Sequence, residues 1–333
     1  MKLTKTLMIP MGIGAMALVL LAPTAHSQPP AGGPGGPGGA SGRGGGGGGR
    51  GRGTPFNYAD NEGWTSLFDG KTMNGWDGDS KFWSIKDSSI YVAPSCEKPT
   101  GTIYAVWTGG ELSDFMLKYE LKGTTGINGG MQFRSYLSAD QSAPNRYPAG
   151  RGGGGGGRGG SGGGGGRGGS GGFGAGGFGA AGGSGRGGGG GRGPQCANPG
   201  TAPTSAEKVK WDLFGPQADF DGNNNFSGMF YEQGGRGIIS NPGHVIYSEA
   251  GKPVLDMGTI ADKATLDSWF HKEDWNQFLI VAKGNTTSIF MNGHLVTEFI
   301  DTDPAYFRPS GKIGIEVEAT GEYWTRNIFL KKL

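Results

Sequence analysis

The chain is predicted to be an all-β protein, a two-layer sandwich, on three grounds. Short runs of β-branched and aromatic residues follow one another from Tyr58 to Leu333, set apart by Gly, Asn and Asp clusters. Helical character is confined to Ala261–Trp269. The longer runs alternate apolar with polar residues, as expected of strands with one buried face.

The predicted strands, in order, are Trp64–Phe68, Phe82–Lys86, Ser89–Ala93, Ile103–Thr108, Phe115–Lys122, Gly130–Tyr136, Lys208–Leu213, Ser227–Tyr231, Gly237–Ser240, Val245–Glu249, Trp275–Lys283, Thr287–Met291, His294–Ile300, Gly311–Glu318 and Trp324–Lys331. In "FMLKYELK", Phe115, Leu117, Tyr119 and Leu121 point one way while Met116, Lys118, Glu120 and Lys122 point the other. "NQFLIVAKG" is apolar on both faces, which suits a central strand. "MNGHL" sets Asn292-Gly293 between two runs, the signature of a tight hairpin turn.

Residues 1–27 read as a secretory signal: Lys2 and Lys5 precede an apolar run from Leu7 to Ala22, and Ala25-His26-Ser27 forms a small-x-small cleavage site. Pro10, Gly12 and Gly14 interrupt the run, which falls short of the ~20 residues of a membrane span, so no stable span is expected after cleavage. The expected destination is the periplasm or the extracellular space.

Of the 74 glycines, 31 lie within Gly150–Gly193 and 15 within Gly32–Gly53. Segments with so few side chains to bury cannot offset the entropy of ordering, and the sequence predicts disorder for both. The organisation expected is a signal at 1–27, a Gly/Pro/Arg-rich tail at 28–57 and one domain at 58–333, interrupted by the 150–193 insertion. A long surface insertion of this kind costs little in loop-closure entropy. Matches to G-x-S-x-G and G-x-G-x-x-G inside the tract carry no meaning, because either needs a strand before it and a helix after it.

The Arg-Gly clusters resemble RNA-binding tails, but the charge balance argues against nucleic acid. Ten of the 30 bases lie in the leader, tail and tract, and the remaining 20 face 28 acids. A folded part with that surplus of negative charge is a poor partner for phosphate backbones. Polyanion binding by the tracts remains a minor reading. Two cysteines, Cys96 and Cys196, suit a single disulfide in an oxidising compartment, or else two buried thiols.

The blocks "WTSLFDGKTMNGWDG", "FWSIKDSSIYVA", "GGMQFRS", "GPQADFDG", "FSGMFYEQGGRGIIS", "DWNQFLIVAKGNTTSIFMNGHLV" and "GKIGIEVEA", in that order, resemble the 3-keto-disaccharide hydrolase domain family. The resemblance runs from Gly63 to Leu333, the tract excepted. It implies a concanavalin-A-like jelly roll, bacterial export and hydrolysis of glycosides whose glucose unit is oxidised at C3. One departure stands out: where the family has a Gln-x-His pattern, this chain has Glu316-Val317-Glu318.

A 3-keto group acidifies the C2 proton, so the aglycone can leave by elimination and water can add to the enone. That chemistry needs a base, a proton donor for the leaving oxygen and a stabiliser for the developing enolate. Asp219 and Glu232 are the expected catalytic carboxylates, close in sequence and facing one another across a turn. Arg134 and Arg236 are expected to hold substrate through guanidinium forks, with structural ion pairs as their alternative role. Gln217 and Glu318 are expected to meet sugar hydroxyls, and Tyr231 and Trp107 to stack on a pyranose, unless they belong to the core. A carbohydrate is the expected partner. No cofactor or metal is expected, with calcium at Asp219, Asp221 and Asn223 as a secondary reading; the segment lacks the Gly and Glu of an EF-hand loop. The rival to catalysis is a lectin-like binding module on the same fold.

Overall fold

A computed structural model describes residues 56–144, 146–148 and 198–333. The predicted signal, the tail up to Pro55, the 150–193 tract and Cys196 lie outside these residues.

Among the described residues the chain forms, in order, β1 (Thr65–Ser66), β2 (Trp76–Gly78), β3 (Ser84–Lys86), β4 (Ser89–Val92), β5 (Ile103–Trp107), β6 (Phe115–Gly123), β7 (Ile127–Leu137), α1 (Ser205–Lys208), β8 (Leu213–Asp221), β9 (Phe230–Gln233), β10 (Gly237–Ser240), β11 (His244–Ser248), β12 (Leu255–Thr259), α2 (Lys263–Trp269), β13 (Asn276–Lys283), β14 (Thr286–Met291), β15 (His294–Asp301), β16 (Lys312–Ala319) and β17 (Tyr323–Lys332). They build two sheets. A seven-stranded sheet has the order β10-β9-β8-β7-β16-β5-β2, and a ten-stranded sheet the order β12-β11-β15-β14-β13-β6-β17-β4-β3, with β1 on β17. Consecutive strands often lie in different sheets, as the crossing connections of a jelly-roll sandwich require.

The core lies between the sheets. Phe115, Leu117, Tyr119 and Leu121 of β6 meet Met131 and Phe133 of β7, Phe220 of β8 and Ile315 and Val317 of β16 in one buried cluster. Phe220 joins the layers through edge-on contacts with Phe278 at 6.4 Å and Tyr323 at 5.8 Å. Burying a ring of this kind contributes ~1.5–3 kcal/mol by area alone. β13 is central, between β14 and β6, as its two apolar faces predict.

Asn292 and Gly293 both take positive φ, 50° and 84°, and join Met291 to His294 in the tight hairpin expected of an Asn-Gly pair. Asp262 caps α2 by accepting from Thr265 N at 2.8 Å, so the helix begins two residues later than predicted.

The segment after the tract needs correction. Lys208–Leu213 is not a strand: Thr204 and Glu207 form a capping box, α1 ends at Lys208, and a turn leads to β8. β2, β8 and β12 were not predicted. β8 escapes a strand reading because Gly215-Pro216 sits near its start, and proline in a central strand argues against that assignment.

Candidate functional site

The face of the seven-stranded sheet turned away from the core collects the polar residues. Ala218 and Phe220 of β8 enter the core, so Gln217 and Asp219 point outward. Register extends the outer face: Gln217 pairs with Gln132 of β7 and Tyr231 of β9, Asp219 pairs with Gly130, and Gly130 pairs with Glu316 of β16. Glu316 pairs in turn with Tyr104 of β5, and Glu318 follows on the same side of β16.

A hydrogen-bonded row ties three strands together. Gln132 Nε2 donates to Gln217 Oε1 at 2.7 Å, and Gln217 Nε2 donates to Glu316 Oε2 at 3.0 Å. The second bond crosses the intervening strand over Gly130, where a Cβ would lie 2.7 Å from Gln217 Nε2. Glycine at 130 is thus what lets the Gln217 side chain reach Glu316. At the margin Thr102 Oγ1 donates to Glu318 Oε2 at 3.0 Å, and Lys208 Nζ holds Thr102 O at 2.9 Å.

Burial sets the protonation of this cluster. Asp219 is 5% exposed and Glu316 3%, whereas Glu318 is exposed. Burial pushes the Asp219 carboxyl well above its ordinary range; the Phe220 N–H opposes this, while Glu318 and Asp221 add to it. Burial likewise pushes Glu316 well up, reinforced by Glu318 and Asp219 and opposed by Gln217 and Lys208. Tyr231 is raised by burial and then by Glu318, Glu316 and Asp219. Two buried carboxyls whose proton affinity burial raises therefore sit beside an exposed third carboxyl.

The structure brings Gln217, Asp219, Tyr231 and Glu318 together and places the other expected residues elsewhere. Glu232 does not face Asp219. It pairs with Pro216 and lies on the inner side of β9 with Phe230, because alternation along a strand sends neighbours to opposite faces. There it accepts from Arg236 Nε at 2.8 Å, and Arg236 also bridges to Asp301 of β15, so the pair staples the two sheets. Burial opposes the charge of Arg236, but its bonds to Glu232 and Asp301 raise its pKa above the ordinary value.

Arg134 likewise takes the structural role. Its guanidinium donates to Ser113 O at 2.8 Å, Gly284 O at 2.8 Å and Asp114 Oδ1 at 3.0 Å, which ties β7 to the other sheet. Trp107 packs against the core and folds over Gly109. In the calcium candidate, Asp221 accepts backbone N–H groups of Asn223, Asn225 and Phe226 and so caps its own loop. Among the described residues no three His, Cys, Asp or Glu side chains gather in a metal-binding group. Cys96 is disulfide-bonded.

Gln132, Tyr104, Gly130 and Glu316 are members of the cluster that the sequence did not nominate. Glu316 carried a usable signal: on a strand, Glu-x-Glu puts both carboxyls on one face.

No curated protein matches the chain. Among solved structures, a glycosyl hydrolase so far assigned only by inference, from Parabacteroides distasonis ATCC 8503, aligns at 14% identity over 82% of this chain and 94% of its own, with TM-score 0.41. The carbohydrate binding module CBM66 of Bacillus subtilis aligns at 11% identity over 78% and 96%, with TM-score 0.38. A protein of unknown function with a galectin-like fold, also from Bacillus subtilis, aligns at 9% identity over 78% and 90%, with TM-score 0.41. The model of the 3-keto-alpha-glucoside-1,2-lyase-like domain matches residues 63–166 and 197–331, which span most of the sandwich and all the strands of the cluster just described. The chain belongs to the 3-keto-alpha-glucoside-1,2-lyase-like domain family.

Proposed function

We propose that this chain cleaves 3-keto-glycosides by elimination and hydration, on the outer face of the seven-stranded sheet and outside the cytoplasm. The observation that carries the reading is the trio Asp219, Glu316 and Glu318 on one sheet face: two buried carboxyls, whose burial favours the protonated form, beside one that reaches solvent. Glu318 takes the C2 proton, and the electron pair moves into an enolate at the C3 carbonyl. Asp219 or Glu316 hydrogen-bonds that oxygen. Collapse of the enolate breaks the C1–O bond, and the departing oxygen takes a proton from a carboxyl. Water then adds to C1 of the enone while a proton returns to C2, giving the free 3-keto sugar and the aglycone alcohol. Gln132, Gln217 and Tyr231 supply contacts for the remaining hydroxyls. Export is supported by the leader and by the disulfide at Cys96.

The test is incubation of the purified protein with 3-ketosucrose and 3-ketotrehalose beside the unoxidised sugars, in D2O. Cleavage of the keto sugars alone, with deuterium at C2 of the product, is expected. Failure to turn over either keto sugar ends the catalytic reading. A second reading, a saccharide-binding module without turnover, is favoured by one observation: Glu318 stands where the family resemblance places a histidine. Saturable binding of a keto sugar that is never consumed would identify it.

A further inference from the structure

The outer face of the ten-stranded sheet, on the other side of the sandwich from Asp219, carries its own polar cleft. The alternation that buries Leu117, Tyr119 and Leu121 turns Glu120 outward, and its register partners Gln277 on β13 and Arg326 on β17 share that face. Arg326 Nε donates to Glu120 Oε2 at 2.8 Å and Gln277 Nε2 to Oε1 at 3.3 Å, so the carboxylate is both oriented and charge-balanced. Two indoles wall the cleft. Trp275 stacks beneath the Arg326 guanidinium, 3.7 Å from ring centroid to carbon, and Trp269 lies parallel to His294 with centroids 4.2 Å apart. The His271 Nδ1 sits 3.0 Å from Trp275 O and must carry its proton there, which leaves Nε2 without a hydrogen-bond partner among the described residues.

The cleft is open to solvent and has a volume of about 420 Å³, above the ~300 Å³ at which small-molecule sites begin. Its chemistry selects the ligand class. An anion finds only one guanidinium, already paired with Glu120; a purely apolar ligand would strip water from Glu120 and Gln277 without replacing it. A pyranose offers both complements, C–H faces for the indoles and hydroxyls that donate to a carboxylate and accept from an amide or guanidinium. We infer that this cleft is a second saccharide site, which takes a neutral pyranose unit of an oligosaccharide and holds it on the sheet opposite the Asp219 cluster. The inference rests on the cleft alone and does not depend on the reaction proposed above.

Isothermal titration of the full-length protein with cellohexaose, laminarihexaose, maltohexaose and xylohexaose tests it. Binding of at least one of these is expected, weakened about tenfold or more in Trp275→Ala, in Gln277→Ala and in His294→Ala, and unchanged in an Asp219→Asn, Glu318→Gln double variant. The half-buried Gln277 and the exposed His294 keep the test decisive where Trp275→Ala loses fold. No binding across the panel would overturn the inference. So would binding that is indifferent to all three cleft substitutions, or binding abolished by the double variant.

Discussion

Gln217 of β8 donates to Glu316 of β16 at 3.0 Å although β7 runs between their strands. The bond exists because the position it passes over, Gly130, has no side chain.

Gly130→Ala places a methyl 2.5 Å from Ala218 O and 2.7 Å from Gln217 Nε2, so the bond to Glu316 must break or the strands must part. The variant is expected to lose ~1–3 kcal/mol of stability from the unsatisfied buried amide, read by urea denaturation. Its activity on 3-ketosucrose should fall further than stability alone accounts for, because the orientation of Glu316 goes with the bond.

Glu318→Gln removes the proposed base and Asp219→Asn a proposed proton donor. Each is expected to lower turnover ~10²–10⁴-fold, the usual range for general acid–base groups, with the fold kept. Glu232→Gln should behave in the opposite sense, with reduced stability and chemistry largely retained, since it faces Arg236 and Asp301 inside the sandwich.

Arg236→Met leaves Glu232 and Asp301 as neighbouring buried acids without their common partner. The expected cost is ~3–5 kcal/mol, the range for breaking a buried ion pair from one side, measured as a drop in the denaturation midpoint. Replacing all three residues by apolar ones of similar size should recover much of the loss.

The pH dependence has a definite sign. Burial raises the folded-state pKa of Asp219 and of Glu316 above the ~4 at which the unfolded chain releases these protons. Between those two ranges the native state binds more protons than the unfolded state, so stability falls as pH rises from about 4 toward the folded-state values, by up to ~1.4 kcal/mol per pH unit for each group. Asp219→Asn and Glu316→Gln should each flatten that slope, and a melting series from pH 4 to pH 8 reads it directly.

The fold was legible wherever local pattern and tertiary context agree. Alternation in β6, the doubly apolar β13 and the Asn292-Gly293 turn each appear in the structure as read. Pairing partners were not legible, and the site depends on them. Asp219 and Glu232 look adjacent along the chain, yet the register of β8 on β9 sets Glu232 opposite Pro216, on the other face from Asp219, and no local pattern states that pairing. Pro216 hid β8, the strand that carries Gln217 and Asp219, and the reach of Arg134 into the other sheet depends on Gly284, 150 residues away. Glu318 was found through resemblance, and Glu316 beside it needed only the strand period.

The order of strands gives the glycine-rich connection a further meaning. All of β1–β7 precede it and all of β8–β17 follow it, yet β7 lies between β8 and β16, and β6 lies between β13 and β17. Neither part of the polypeptide can complete a sheet from its own strands. Two separately expressed fragments, ending before and beginning after that connection, would each expose long open edges and would gain their layers only by interleaving with one another. The domain is in this sense a two-piece assembly that happens to be covalently joined, and a split at the connection offers a route to a reporter whose signal requires both pieces.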